Sequence, residues 1–95
     1  MKRLAEPEMD AAILGPAMIW RGNQMVRVLV YDASRIVEIL MDRDGMDHDE
    51  AWEYFDFNIE CAWVGVDTPV YVYTNTDWQE WDDDPEPVDI QKSDE

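Results

Sequence analysis

Met46-Asp-His-Asp-Glu-Ala-Trp-Glu-Tyr-Phe-Asp-Phe-Asn-Ile-Glu-Cys-Ala-Trp-Val-Gly65 carries two interleaved patterns. Ala51, Phe55, Ile59 and Ala62, with Trp52 and Asn58 beside them, recur at helical spacing and predict a core-facing stripe. Trp63 and Phe57 are also expected in the core, and Cys61 as a small packed residue. Asp49, Glu53, Asp56 and Glu60 recur on another face, with Glu50 at its edge. Carboxylates one helical turn apart stand about 5–6 Å from one another, and each like-charge pair costs an isolated helix roughly 0.2–0.5 kcal/mol. No lysine or arginine interrupts the row, so a helix over 48–61 would carry an unneutralised anionic face.

Working outward, Gly45 predicts the end of a preceding helix from Asp32 or Ser34 to about Arg43, whose Ile36, Val37, Ile39, Leu40 and Met41 form a broad apolar face. Asp47 and Glu50 stand at the capping-box spacing for the second helix. Two helices joined by so short a loop make an antiparallel helical hairpin. Upstream, 11–20 and 25–31 are apolar runs around Arg21-Gly22-Asn23-Gln24, which predicts a β-hairpin. Gly15-Pro16 should bend the first strand and place it at a sheet edge, because proline has no N–H to donate. Downstream, Val70-Tyr-Val-Tyr-Thr74 predicts a third strand, entered through Pro69.

The order ββααβ implies an α+β domain: a small three-stranded antiparallel sheet with the two-helix hairpin on one face. Residues 1–10 are expected as a flexible lead-in, 11–76 as the single domain, and 77–95 as an acidic, proline-containing tail. At 95 residues the chain has material for one hydrophobic core.

The net charge of −16 is unevenly distributed. Residues 38–60 hold nine acids and one base, and so do 77–95, whereas 1–37 hold four acids and five bases. A surface of that sign is repelled by nucleic acid and by anionic membranes and is attracted to basic proteins. Adaptation to high salt would spread the acids evenly, and the weakly basic first third departs from that pattern.

Catalytic constellations lack parts. His48 is the single histidine, Cys61 the single cysteine, and Ser34 and Ser93 the serines. Carboxylates are plentiful, but acid–base work needs two of them held in differing environments within a pocket. No Gly-rich phosphate loop and no basic patch occurs, so an enzyme is not expected and neither is direct binding to nucleic acid. Asp42-Arg-Asp-Gly-Met-Asp-His-Asp-Glu50 invites comparison with a calcium loop. With Gly45 at the glycine position, however, Leu40 and Ala51 fall where the first and last carboxylate ligands belong. No metal and no cofactor is expected. A lone cysteine suits a reducing compartment, acids interrupt the N-terminal segment where a signal peptide needs apolar residues, and no run reaches membrane-spanning length. A cytoplasmic location is the expectation.

The segment 11–73 resembles a family of short, acidic, uncharacterised proteins encoded by bacteriophages and prophages. The resemblance rests on Ala12-Ile-Leu-Gly15, Val30-Tyr-Asp32, Ile39-Leu-Met41, Gly45-Met46, Glu53-Tyr-Phe-Asp-Phe-Asn58, Ala62-Trp-Val-Gly65 and Thr68-Pro-Val70. It implies phage origin, and with it the cytoplasm of a host cell, but no activity.

Together these observations lead to an expected anti-defence inhibitor that imitates the DNA backbone. It would occupy the basic nucleic-acid groove of a CRISPR effector or another host defence protein. Asp49, Glu50, Glu53, Asp56 and Glu60 are the expected contact row, and Asp82, Asp83 and Asp84 an adaptable extension. The alternative is a non-mimic interaction module, a host-takeover or assembly factor that binds through Trp78 and Trp81 of the tail or through a sheet edge. The sequence leaves the oligomeric state open, a dimer included.

Overall fold

The computed structural model describes residues 1–74 and Pro87. Strands β1 (Ile13–Arg21) and β2 (Gln24–Asp32) form the expected hairpin. Gly22 turns it with a left-handed φ of 65°, a conformation that costs glycine little. Helix α1 (Ala33–Asp44) follows at once, because the Asp32 carboxylate accepts the amides of Ser34 and Arg35 and caps it. Gly45, at φ 69°, closes α1, and its N–H donates to the Met41 carbonyl. Helix α2 (His48–Tyr54) opens on a complete capping box. The Glu50 N–H donates to Asp47 at 2.8 Å, and the Asp47 N–H donates to Glu50 at 3.2 Å. Strand β3 (Val70–Val72) completes the sheet in the order β1-β2-β3.

The element order ββααβ is as the sequence implies, but the sheet is mixed. β1 pairs antiparallel to β2, whereas β3 lies parallel to β2, with Val30, Tyr31 and Asp32 opposite Val70, Tyr71 and Val72. The expected all-antiparallel sheet is thereby corrected, and the connection from 61 to 69 supplies the reason. It runs back to the turn end of the β-hairpin, where Arg21 Nη2 donates to the Thr68 carbonyl. The chain therefore enters β3 from the end at which β2 begins. Thr68 holds this connection together: its buried hydroxyl donates to the Ala62 carbonyl and accepts the Val64 N–H.

A bulge sets which residues of β1 meet the core. Ile13 lies opposite Tyr31 and Gly15 opposite Val30, so Leu14 is the extra residue. Gly15, at φ 146°, absorbs the irregularity. Ile13 packs against the core in consequence, and Leu14 is left exposed. The core joins Tyr31 and Met9 to Ile36, Leu40, Ala51 and Phe55 of the helices, with Tyr71 and Tyr73 against it.

The first ten residues are more ordered than the expected lead-in. Pro7–Ala12 form a 3-10 turn, Met9 is fully buried, and the Leu4 N–H donates to the Tyr31 hydroxyl at 2.9 Å. Burial of the Met9 side chain, worth about 1.5–3 kcal/mol, and the bond to Tyr31 together offset part of the roughly 1–2 kcal/mol that ordering each residue costs.

Candidate functional site

The second helix changes character midway. His48–Tyr54 is α-helical and Phe55–Glu60 is π-helical, with hydrogen bonds that reach one residue further along the chain. Ala51, Phe55 and Ile59, all buried, lie four residues apart in both steps, slightly more than an α-helical turn. The wider turn keeps Phe55 and Ile59 on the same side, so the core stripe survives through Ile59. Phe55 anchors it, edge-on to Tyr71 at 5.3 Å and to Trp52 at 5.8 Å between ring centres.

Several expectations for this stretch are corrected. Ala62 and Asn58, expected on or beside the core stripe, are exposed, and Asn58 Nδ2 donates to the Tyr54 carbonyl. Cys61, expected to be packed, is exposed. Trp63, expected in the core, is 64% exposed, with the Arg21 guanidinium 4.9 Å from its ring centre. Phe57, also expected in the core, is 74% exposed. Asn58 moves off the stripe because the angular step per residue falls in the π turn, Phe57 lies on the opposite face from Phe55 under either geometry, and Cys61, Ala62 and Trp63 follow Glu60, where the helix ends.

All five expected helix acids, Asp49, Glu50, Glu53, Asp56 and Glu60, stand exposed along α2 and the π turn. Glu60 diverges from the others: it accepts the Tyr73 hydroxyl and lies beside Asp56. Partial burial, then the charge of Asp56, raises the Glu60 carboxyl above its ordinary range. Burial likewise pushes the neighbouring Tyr71 phenol up to about 12. The row is therefore three outward carboxylates, Asp49, Glu53 and Asp56, with Glu50 engaged in the cap and Glu60 turned toward the sheet.

Pairing separates these acids from those elsewhere. Glu6, Glu8 and Asp44 meet Arg43, Asp10 meets Arg3, Glu38 meets Arg35 at 2.9 Å, and Asp67 meets Lys2 at 2.9 Å. Lys2 and Arg43 hold the carboxyls of Asp67 and Asp44 below their usual range. Among the described residues, no lysine or arginine pairs with Asp47, Asp49, Glu50, Glu53, Asp56 or Glu60. Asp49 has only His48, with Nδ1 at 3.7 Å, and the opposite nitrogen of that imidazole accepts the Trp52 indole N–H at 3.1 Å.

Beside the row lies a shallow groove of about 260 Å³, lined by Met46, Glu50, Glu53, Tyr54, Phe57 and Asn58. A second exposed surface lies on the β-hairpin, where Met18 and Arg27 face each other across the strands beside Trp20 and Met25. Neither surface was legible as such in the sequence. Trp20 sits in an apolar run, where exposure depends on how far the neighbouring elements extend. Trp78, Trp81, Asp82, Asp83 and Asp84 lie outside the described residues. No cluster with metal-ligand composition occurs among the described residues. No protein-family model, curated protein or solved structure matches this chain.

Proposed function

We propose that the protein is a phage-encoded anti-defence inhibitor that acts in the host cytoplasm by DNA mimicry. It offers the carboxylates of α2 and its π turn to the basic nucleic-acid groove of a CRISPR effector or another host defence protein. The observation that carries this reading is the contrast in pairing. Among the described residues, Lys2, Arg3, Arg35 and Arg43 pair with acids on the N-terminal segment, on α1 and in the 61–69 connection, and no lysine or arginine pairs with Asp49, Glu53 or Asp56. Held on a helix, those charges are positioned before binding, so little ordering entropy opposes their use. Duplex DNA presents one charge per about 3.4 Å of axis on each strand, and proteins that bind it displace counterions. Carboxylates about 5–6 Å apart are sparser but of the same kind. Such an inhibitor needs neither a nucleophile nor a metal. No helix among the described residues is long and apolar enough to cross a membrane, which agrees with an inhibitor that meets its target in solution.

Glu53→Lys combined with Asp56→Lys tests the proposal. The double variant should stay folded, because both side chains are exposed. It should lose inhibition of the target, and wild-type binding should weaken steeply with salt and compete with DNA. Full inhibition by the double variant would overturn the reading.

A second reading, a host-takeover or assembly factor that binds through an apolar surface, is favoured by the hairpin face. There Met18, Trp20 and Met25 are 52%, 66% and 48% exposed in a stretch, 11–31, that contains no acid. Under that reading Met18→Ser with Trp20→Ser abolishes binding, and salt has little effect.

A further inference from the structure

Phe57 has no structural role in the core. At 74% it is the most exposed of the large apolar side chains among the described residues, on a helix whose Phe55 is fully buried two residues earlier. Two residues past Phe55, Phe57 falls on the opposite, outward face of the helix. There it joins Met46 and Tyr54 in the groove, and Glu50 and Glu53 stand at the same walls. A surface that only copied phosphates would gain nothing from an exposed phenyl ring among its carboxylates. At about 260 Å³ the groove lies below the roughly 300–1,000 Å³ of small-molecule sites. Its size suits one side chain of a partner.

We infer that this groove receives a short basic segment of a partner protein, in which one aliphatic side chain is flanked by lysine or arginine. The aliphatic group packs on Met46, Tyr54 and Phe57, and the flanking cations meet Glu50, Glu53 and the adjoining Asp49 and Asp56. Charge selects this occupant. Nucleic acid and anionic lipid are repelled, and a second copy of the chain would bring its own unneutralised carboxylates to the same place. A basic segment gains on both counts, since its cations find unpaired acids and its aliphatic side chain finds an apolar wall. The inference rests on the reading of α2 as the partner-facing element, and it names the chemistry that element recognises.

The test uses the full chain and two short fluorescein-labelled peptides of equal positive charge. One has a central leucine between lysines and arginines, and the other has serine in its place. Fluorescence anisotropy should show the leucine peptide binding about tenfold tighter, the scale expected for partial burial of one aliphatic side chain. That ratio should persist at high salt, although both affinities fall. Phe57→Ser should reduce the ratio to about one while the serine peptide binds as before. Glu53→Gln should weaken both peptides alike. Equal, salt-sensitive binding of the two peptides to the wild-type chain would overturn the groove and leave the acidic row standing. A leucine preference that survives in Phe57→Ser would likewise overturn it. Failure of both peptides to bind at low salt would overturn the groove and the row together.

Discussion

Two phenylalanines two residues apart have opposite fates. Phe55 is fully buried among Trp52, Tyr71 and Tyr73, and truncation to alanine removes a ring from a packed aromatic cluster. Phe55→Ala should cost about 3–5 kcal/mol in chemical denaturation. Phe57→Ser should stay within about 0.5 kcal/mol of wild type, because the ring is exposed. Glu60 gives a pH prediction whose sign follows from its position. Its folded-state carboxyl is raised by burial and by Asp56, so ionisation disfavours the folded state. The penalty is fully present above the raised value. It disappears as pH falls through that value to the ordinary glutamate range near ~4.3. Glu60→Gln should therefore raise the Tm near neutral pH while still accepting the Tyr73 hydroxyl. The gain should stay below the ~4–8 °C that 1 kcal/mol produces in a domain of this size, because the group is mostly solvated. Melting curves at neutral pH and below ~4 check it, and an equal gain at both pH values would contradict the cause.

Among the elements, the helix that begins at His48 owes its start to its cap and its course to its packing. Asp47→Ala removes the carboxylate that accepts the Glu50 N–H and should cost about 1 kcal/mol, read as a lowered denaturation midpoint. Capping is local chemistry: the Asp47 cap was readable from residue types and spacing, and the first helix's cap was narrowed to Asp32 or Ser34, of which the structure uses Asp32. The π turn was not, because the apolar step of four residues fits an α-helix almost as well as a wider turn. The choice falls to the partners of Phe55 and Ile59 in the core, which are remote in sequence. The bulge in β1 was half legible. Gly15-Pro16 announced an irregularity, but only the pairing of Ile13 with Tyr31 decides which side chain turns inward.

At the scale of the whole molecule, charge opposes the fold. The chain carries −16, and the unpaired acids of α2 repel one another in the native state. Raising the salt from about 0.01 M to about 1 M shortens the screening length from ~30 Å to ~3 Å and should raise the Tm. A flat or falling Tm would show that these repulsions do not limit stability. Calcium and magnesium at matched millimolar concentration should act alike, through screening alone. Asp44 is committed to Arg43, and no carboxylate cage of calcium-loop type is assembled around Gly45 among the described residues. A shift selective for calcium would contradict this.

The sequence by itself determined what depends on neighbours along the chain. The hairpin around Gly22, the cap at Asp47, the stop at Gly45, the order of the elements and the acidity of the second helix are all of this kind. They follow from backbone preferences and from side chains within about one turn. Tertiary structure decided the rest. The 61–69 connection, anchored to Arg21 through Thr68, set β3 parallel to β2. The aromatic cluster of Phe55, Tyr71 and Tyr73 accompanies the widened turn, and Glu60 accepts the Tyr73 hydroxyl. Each outcome joins groups more than ten residues apart, and local propensity carries no information about which of them meet.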